Sequence, residues 1–238
     1  MQATMERTEQ RFGNASALNA TMRPRLQPAP RDALDLLEQF GTTITVARDR
    51  EVHGQGVVAD CCYRILSGCV RTVKLMEDGR RQIGEFLMAG DLLDFDALGT
   101  YDFAAEAVSD VVLRRYPRRM VDALAESNVA VTRRLRDMTS ISLRMAHARV
   151  VLLGRKTASE RIDSFLLEMG ERLPDGRPDV LDLPMSRTDV ADHLGLTIET
   201  VCRVLGHLRR DGTLAIERSS ITIRDGVALQ RMASELRH

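Results

Sequence analysis

The sequence lacks any apolar run of the roughly 18 residues that a membrane-spanning helix needs. Its N-terminus also lacks the charged segment and apolar core of a secretory signal. We therefore expect a cytoplasmic protein with no membrane partner. The chain carries no net charge, because 34 basic side chains balance 34 acidic ones in its 238 residues. A zero balance leaves nucleic-acid binding open, since binding depends on where the charges lie.

Cysteine and histidine are few and scattered. The four cysteines, Cys61, Cys62, Cys69 and Cys202, form no CxxC pair, and adjacent Cys61 and Cys62 would point to opposite faces of a strand. This favours free buried thiols over a disulfide or metal framework. The five histidines show no HxH or HExxH spacing, which gives a metalloenzyme little support. We therefore predict no enzymatic centre, no metal and no cofactor.

The pattern along the first half of the chain predicts the β part of an α+β protein. Residues 1–30 are polar and irregular, which is typical of a flexible tail. Residues 31–117 begin with a short helix over 31–40 and continue as short, β-branched strands divided by glycines. Asp78-Gly79 is a strong hairpin signal. We predict an antiparallel, sensor-like β-roll over 31–117.

Residues 118–154 predict a long dimerisation helix. No glycine or proline occurs from Arg118 to Leu153. Mostly apolar side chains recur there at alternating steps of three and four residues, as in a coiled-coil seam. The predicted seam comprises Val131, Leu135, Met138, Ser142, Met145, Arg149 and Leu152. The alternative is a helix that is buried on its own domain.

Residues 155–238 predict a winged helix-turn-helix domain. A first helix over 157–171 leads into this domain, and the late segment LAIERSSITIRD predicts a β-hairpin. Such a hairpin is a wing that can contact phosphates, here through Arg218 and Arg224.

The helix-turn-helix itself is predicted from its capping residues. Ser186 is a good N-cap with Asp189 three residues later, and Gly195 permits the left-handed turn that ends the first helix. Thr197 then caps the second helix. A helix, a tight turn containing glycine and a second helix form the arrangement that a DNA-binding helix-turn-helix requires.

The second helix presents a polar face near its N-terminus. Glu199, Cys202 and Arg203 share that face, opposite the apolar side of the helix. In the major groove, Arg203 can donate to guanine N7 and O6, and Glu199 can accept from cytosine N4. Glu199 can also hold Arg203 in place as an i, i+4 pair. The alternative is an exposed salt bridge without function.

The chain from about 40 to 225 resembles the superfamily of the cyclic-AMP receptor protein and the fumarate-nitrate regulator (CRP/FNR). The segments RTVKLMEDGRRQIG and LTIETVCRVL are most similar to its FixK subgroup, which regulates oxygen and nitrogen metabolism. The resemblance implies a homodimer that binds a two-fold TTGA…TCAA-type site in double-stranded DNA and activates transcription through RNA polymerase. The expected DNA-binding residues are Ser186, Arg187, Thr197, Ile198, Glu199, Thr200, Cys202, Arg203 and Arg218.

The chain departs from the family where the family binds effectors. Gly90-Asp91 stands at its Gly-Glu step, and no arginine or lysine occurs from 82 to 110, where seven acids do. An anionic ligand would meet repulsion there without a counter-charge. The N-terminus has none of the cysteines that hold an iron–sulfur cluster in the oxygen-sensing branch. We therefore expect DNA binding without cyclic nucleotide or cluster.

Two other functions stay open at this point. One is a roll that senses haem or a small molecule, with His53, Cys61, Cys62 and Cys69 as candidate haem ligands. The other, a cupin-like enzyme, has less support, because 42–116 holds no histidine cluster.

Cys202 is a separate candidate for redox control. Oxidation of its thiol would place a negative charge against DNA. A related branch of the family carries serine at this place, and FixK relatives are implied to sense oxidation at the place that matches Ser186. The alternative is that Cys202 is a small residue that permits close approach to a base.

Overall fold

The β-roll is built from eight short strands that form two antiparallel sheets. The computed structural model describes residues 33–173, 179–217 and 220–234, so the predicted tail over 1–30 lies outside the described residues. The strands are β1 Thr42–Val46, β2 Glu51–His53, β3 Cys61–Ser67, β4 Cys69–Leu75, β5 Arg81–Met88, β6 Leu92–Leu93, β7 Ala104–Ala107 and β8 Val111–Pro117. Their order is β1-β8-β3-β6 in one four-stranded sheet and β2-β7-β4-β5 in the other. The predicted antiparallel roll is confirmed, including the β4–β5 hairpin, whose turn holds Gly79 at φ +83°.

Strand β3 is buried on both faces. Cys61 packs into the core between the two sheets, beside Ile65 and Leu113. Cys62 points to the other face and packs under the 3₁₀ helix Ala33–Phe40. Both thiols are buried, and all four cysteines are free. The predicted opposite orientation of this pair is confirmed, because a strand alternates its side chains.

The predicted continuous helix over 118–154 is wrong, because the structure divides it in two. Helix α1 runs over Arg118–Ser127 and α2 over Val129–Arg155. Asn128 between them has extended backbone angles, φ −134° and ψ 104°, and its side chain accepts from the backbone N–H groups of Ala130 and Val131. Asparagine is a strong N-cap and can start a new helix without glycine or proline.

The first part of the predicted dimer seam packs against its own chain. Val131 is fully buried against Leu34, and Leu135 and Met138 pack against the same cluster, which also contains Tyr116. Leu135 and Met138 are only partly buried in the single chain, so the dimer seam predicted over this part of α2 stays a prediction.

The C-terminal part is a winged helix-turn-helix. Its elements are α3 Ala158–Arg172, β9 Val180–Asp182, α4 Arg187–Leu194, α5 Ile198–Arg210, β10 Leu214–Glu217, β11 Ser220–Ile223 and α6 Gly226–Ser234. The predicted hairpin is confirmed as β10 and β11, and β9 adds a third strand that the sequence did not predict. Phe165, Val201 and Leu205 are buried where α3 and α5 meet.

The roll and the C-terminal part share one apolar core. Ile83 and Phe86 of β5 belong to the same buried cluster as Phe165 of α3 and Leu194 of α4. Phe86 and Phe165 meet edge to face, with ring centroids 6.3 Å apart. The helix-turn-helix therefore packs directly on the roll.

Neither a membrane helix nor a metal site is seen in the described part of the chain. None of its helices combines the length and the hydropathy needed to cross a bilayer. Within 33–173, 179–217 and 220–234, histidine, cysteine and acidic side chains form no group of three suited to a metal ion.

Candidate DNA interface

The first helix of the interface, α4, begins with a reciprocal cap. Ser186 Oγ accepts from the backbone N–H of Asp189, and the backbone N–H of Ser186 donates to Asp189 Oδ2 at 3.0 Å. The predicted cap is therefore confirmed, although the partner is aspartate rather than the usual glutamate. Ser186 and Arg187 are exposed at this helix end, so they remain available to an external ligand.

The turn between α4 and α5 depends on Gly195. This residue has φ 61° and ψ 43°, the left-handed region that side chains with a Cβ rarely adopt. A Cβ at this position would lie 3.6 Å from the Arg161 guanidinium, which is ordinary contact, so backbone conformation rather than space demands glycine.

Helix α5 buries one side and exposes the other. Thr197 caps it by accepting from the backbone N–H of Thr200 at 3.3 Å. Val201, Leu205 and Leu208 are buried in the shared core. The opposite face of α5 carries the predicted base-reading residues, with Ile198, Glu199 and Arg203 exposed and Cys202 half-buried.

Glu199 does not pair with Arg203 in the described structure, so the predicted i, i+4 support is wrong. Hydrogen bonds from its own backbone N–H and from Thr197 hold the pKa of the Glu199 carboxyl below its usual range. No ion pair or hydrogen bond within the described residues occupies the guanidinium of Arg203. Both side chains are exposed, so both can meet an external partner.

Cys202 has a cationic neighbour that the sequence did not predict. Arg187 Nη1 lies 3.6 Å from Cys202 Sγ, a contact that joins α4 to α5. Along the chain, the cation beside Cys202 is Arg203. Arg187 of α4 reaches Cys202 of α5 because the turn at Gly195 brings the two helices together.

The wing is described apart from its tip. Arg218 lies outside the described residues, so its predicted phosphate contact is not placed. Arg224 is exposed just after β11, and its backbone N–H donates to the carbonyl of Thr213 at 2.8 Å.

Arg161 is an anchoring residue that the sequence argument missed. Its guanidinium donates to the carbonyl of Leu153 at the end of α2 and to that of Leu194 at the end of α4, at 2.8 and 2.9 Å. Carbonyls in the last turn of a helix have no partner within the helix, and a cation there also complements the helix dipole. Arg161 therefore ties the long helix to the turn of the helix-turn-helix.

The acidic segment 82–110 has counter-charges after all, which corrects the sequence argument. Arg172 of α3 donates to Asp91 Oδ2 at 2.7 Å, and Arg118 of α1 donates to the carbonyl of Asp94. These arginines come from distant parts of the chain. They are already engaged by protein groups, and so is Asp91 at the place of the family's Gly-Glu step.

Three candidate haem ligands of the roll are poorly suited to bind iron, because the histidine is paired and two thiols are protonated. His53 Nε2 lies 2.5 Å from Asp94 Oδ2, and its ring stacks on Tyr101 with centroids 3.6 Å apart. Burial raises the pKa of Cys62 to about 11 and that of Cys69 to about 12, so both thiols stay protonated.

Comparison with known proteins agrees with this architecture. The Crp-like helix-turn-helix domain family matches residues 160–232, and the cyclic nucleotide-binding domain family matches 43–128. The nitrogen fixation regulation protein FixK of Azorhizobium caulinodans is 42% identical over 201 residues, covering 82% of this chain and 80% of that protein. The chain belongs to the FixK group of the CRP/FNR transcription regulators. This group consists of DNA-binding regulators rather than enzymes.

Two further FixK proteins support the assignment. FixK of Rhizobium meliloti is 36% identical, with 88% of this chain and 89% of that protein covered. The solved structure of FixK2 from Bradyrhizobium japonicum has 39% identity and a TM-score of 0.78, and it covers 82% of this chain and 98% of that one. Helix α5 is therefore the second helix of a Crp-like helix-turn-helix domain.

Proposed function

We propose that this FixK-type regulator binds a two-fold TTGA…TCAA-type site in double-stranded DNA as a homodimer and activates oxygen- or nitrogen-responsive genes through RNA polymerase in the cytoplasm. The observation that supports this most is the exposed face of α5. Ile198, Glu199 and Arg203 project from a helix that Thr197 caps and whose other side is fixed in the core. The relatives named for nitrogen fixation regulation support the choice of target genes.

The chemistry of that face suits a short base sequence. The exposed guanidinium of Arg203, which has no partner among the described residues, offers the two parallel donors that match guanine N7 and O6. The ionised Glu199 offers acceptors for the amino group of cytosine or adenine. Ser186, Arg187, Thr197 and Thr200 lie at the N-terminal ends of α4 and α5, where hydroxyl, guanidinium and backbone N–H donors suit phosphates.

A two-fold site needs two copies of α5, and the exposed side of α2 supplies the pairing surface. Leu143 and Val150 are 57% and 69% exposed. They belong to a second, mostly apolar series with alternating steps of four and three, comprising Thr139, Leu143, Ala146, Val150 and Leu153. We propose this series as the contact between the two copies, in place of the seam predicted from the sequence. Large apolar side chains left open at coiled-coil spacing are typical of a helix that packs against a second copy.

We also propose that the protein binds DNA without an effector. In the roll, Asp91 already holds Arg172, and Asp94 holds His53 and Arg118. A cyclic nucleotide would have to break these pairs before its phosphate could gain a counter-charge from them. Neither cyclic nucleotide nor an iron–sulfur cluster is therefore part of the proposed mechanism.

Selection of bound sequences from a random DNA pool tests the proposal, using purified protein with no added ligand. We expect enrichment of a two-fold motif whose half-sites lie about one helical turn apart. Enrichment of single half-sites would contradict the dimer, and enrichment that appears after cyclic AMP is added would contradict effector independence. Failure to enrich any motif would contradict sequence-specific recognition by α5.

A further inference from the structure

Five charged side chains of alternating sign join the roll to the first helix of the helix-turn-helix. The series, called here the ion network, runs Glu106 of β7, Arg71 of β4, Asp189 of α4, Arg81 of β5 and Asp192 of α4. Its successive N–O distances are 2.7, 2.9, 2.7 and 2.6 Å.

Asp189 is the centre of the ion network and serves two purposes with its two oxygens. Oδ1 accepts from Arg71 and Arg81 of the roll. Oδ2 accepts from the backbone N–H and the hydroxyl of Ser186, which closes the cap of α4. The cap that starts the helix and the contact that fixes the helix to the roll therefore depend on the same carboxylate.

The ion network is shielded from water at its centre. The side chains of Arg71 and Asp189 are 12% and 5% exposed, while Arg81 at the edge is 30% exposed. A shielded carboxylate that loses its cations is strongly unfavourable, because water cannot replace them without a rearrangement. Removal of both arginines should therefore move α4 away from the roll.

Neighbouring polar contacts hold the other end of α4. Gln82 of β5 donates to the backbone carbonyl of Asp192 at 2.6 Å, and Arg149 of α2 contacts both ring nitrogens of His193. Burial and the nearby Arg149 charge lower the pKa of His193 well below its usual value, so His193 is neutral. Helix α4 is thus held to the β4–β5 hairpin and to α2, while its N-terminus and the outer face of α5 stay open.

We infer that Arg71 and Arg81 are positioning residues for DNA recognition, which set the orientation of the helix-turn-helix from the roll through Asp189 and Asp192. The inference rests on the proposed function and adds how the roll sets the position of the DNA-binding helices. In this arrangement the base-reading face is accessible without any ligand. An arginine pair built into the roll fixes the orientation of α4.

The test compares two variants with a matched control. The variant Arg71→Met with Arg81→Met removes both roll arginines of the ion network. Arg81→Met alone should have a smaller effect, because Arg71 still neutralises Asp189. This single variant replaces the double variant in the test if the double variant folds poorly. The control, Arg48→Met with Arg80→Met, also removes two arginines from the roll, but these are 64% and 81% exposed and pair with the neighbouring acids Asp49 and Asp78.

Two measurements separate this inference from the proposed function. Amide hydrogen exchange of residues 187–194 without DNA reports how firmly α4 is held, and titration with the selected DNA reports affinity. We expect the double variant to exchange about tenfold faster in α4 and to bind DNA about tenfold more weakly, with Arg81→Met between it and the control. The control should match the wild-type protein in both.

Other results would overturn the inference. Unchanged exchange in α4 would mean that the ion network does not hold the helix. Weaker binding with unchanged exchange would make the two arginines direct DNA contacts. Tighter binding by the double variant would make the ion network an inhibitory contact. If the wild-type protein selects no DNA, the proposed function fails, while hydrogen exchange still decides whether Arg71 and Arg81 hold α4.

Discussion

Arg187 on the first helix of the helix-turn-helix donates to the thiol of Cys202 on the second, with Nη1 3.6 Å from Sγ. Cys202 is half-buried, so its thiol can be reached by peroxide, and a sulfinate or sulfonate formed there would lie against a cation. Cys61, Cys62 and Cys69 are fully buried, and burial raises the pKa of each. These three thiols should react slowly.

We therefore expect peroxide to inhibit DNA binding by the wild-type protein and to spare Cys202→Ser. A sulfinate or sulfonate at Cys202 would place negative charge against phosphates and base acceptors. The measurement is DNA affinity before and after peroxide, with mass spectrometry to locate the added oxygen. Equal inhibition of both proteins would assign the effect to another cysteine. No inhibition of either would leave Cys202 as a packing residue.

The dimer surface on α2 is tested by charge placed on its exposed series. Leu143→Glu with Val150→Glu should give a monomer at micromolar concentration in sedimentation, because two like charges would face their copies across the seam. Its thermal unfolding should change little, since both side chains are exposed in one chain. Specific DNA binding should fall as well, because one half-site supplies too few contacts.

The stripe that the sequence predicted supplies the matched comparison. Leu135→Ala with Met138→Ala should lower the free energy of unfolding by roughly 1–3 kcal/mol, since both side chains pack on the chain's own cluster. It should leave the protein dimeric. If this double variant were monomeric and as stable as the wild-type protein, the dimer contact would lie on the seam predicted from the sequence.

The sequence predicted those parts of the interface that depend on local signals. Ser186, Gly195 and Thr197 each act within four residues of their own position, so capping and turn preferences identify them. Asn128 has the same capping chemistry. It was missed because α1 and α2 continue the helical pattern on both sides of it.

The contacts that hold the domains together gave no sequence signal. Arg71 meets Asp189 across 118 residues of chain, and Arg172 meets Asp91 across 81. Such pairs follow no period, and single charged residues are usually solvated. The sequence therefore indicates no counter-charge for the acidic segment 82–110, although the fold brings arginines to it.

Asp163 of α3 should make stability fall as pH rises. This side chain is fully buried, and neither carboxylate oxygen has a hydrogen-bond partner within the described residues. Burial raises the pKa of Asp163 from 3.8 to about 7, with a smaller contribution from the Glu160 charge. Between these two pH values the folded chain holds a proton that the unfolded chain has released, so stability is lost as pH rises through this window and stays low above it.

Asp163→Ala should therefore raise the free energy of unfolding at pH 8 by roughly 2–4 kcal/mol, since each pKa unit corresponds to about 1.4 kcal/mol. The gain should be much smaller near pH 4.5. Denaturant unfolding at both pH values measures it, with Glu171→Ala, an exposed acid on the same helix, as the control. A loss of stability at pH 8 would show that the Asp163 carboxylate is satisfied in the folded protein.

Base recognition is tested at Arg203. Because its guanidinium is exposed and has no partner within the described residues, Arg203→Ala should cause no internal rearrangement. We expect specific binding to weaken by roughly 1–3 kcal/mol, with relaxed preference at one symmetric G·C pair.

Arg209→Ala, at the far end of α5, is the control and should affect specific and random DNA to the same extent. Titrations with the selected site, with the same site changed at that base pair and with random DNA give the comparison. If Arg203→Ala loses as much affinity for random DNA as for the selected site, Arg203 contacts phosphate, and sequence recognition passes to Ile198 and Glu199.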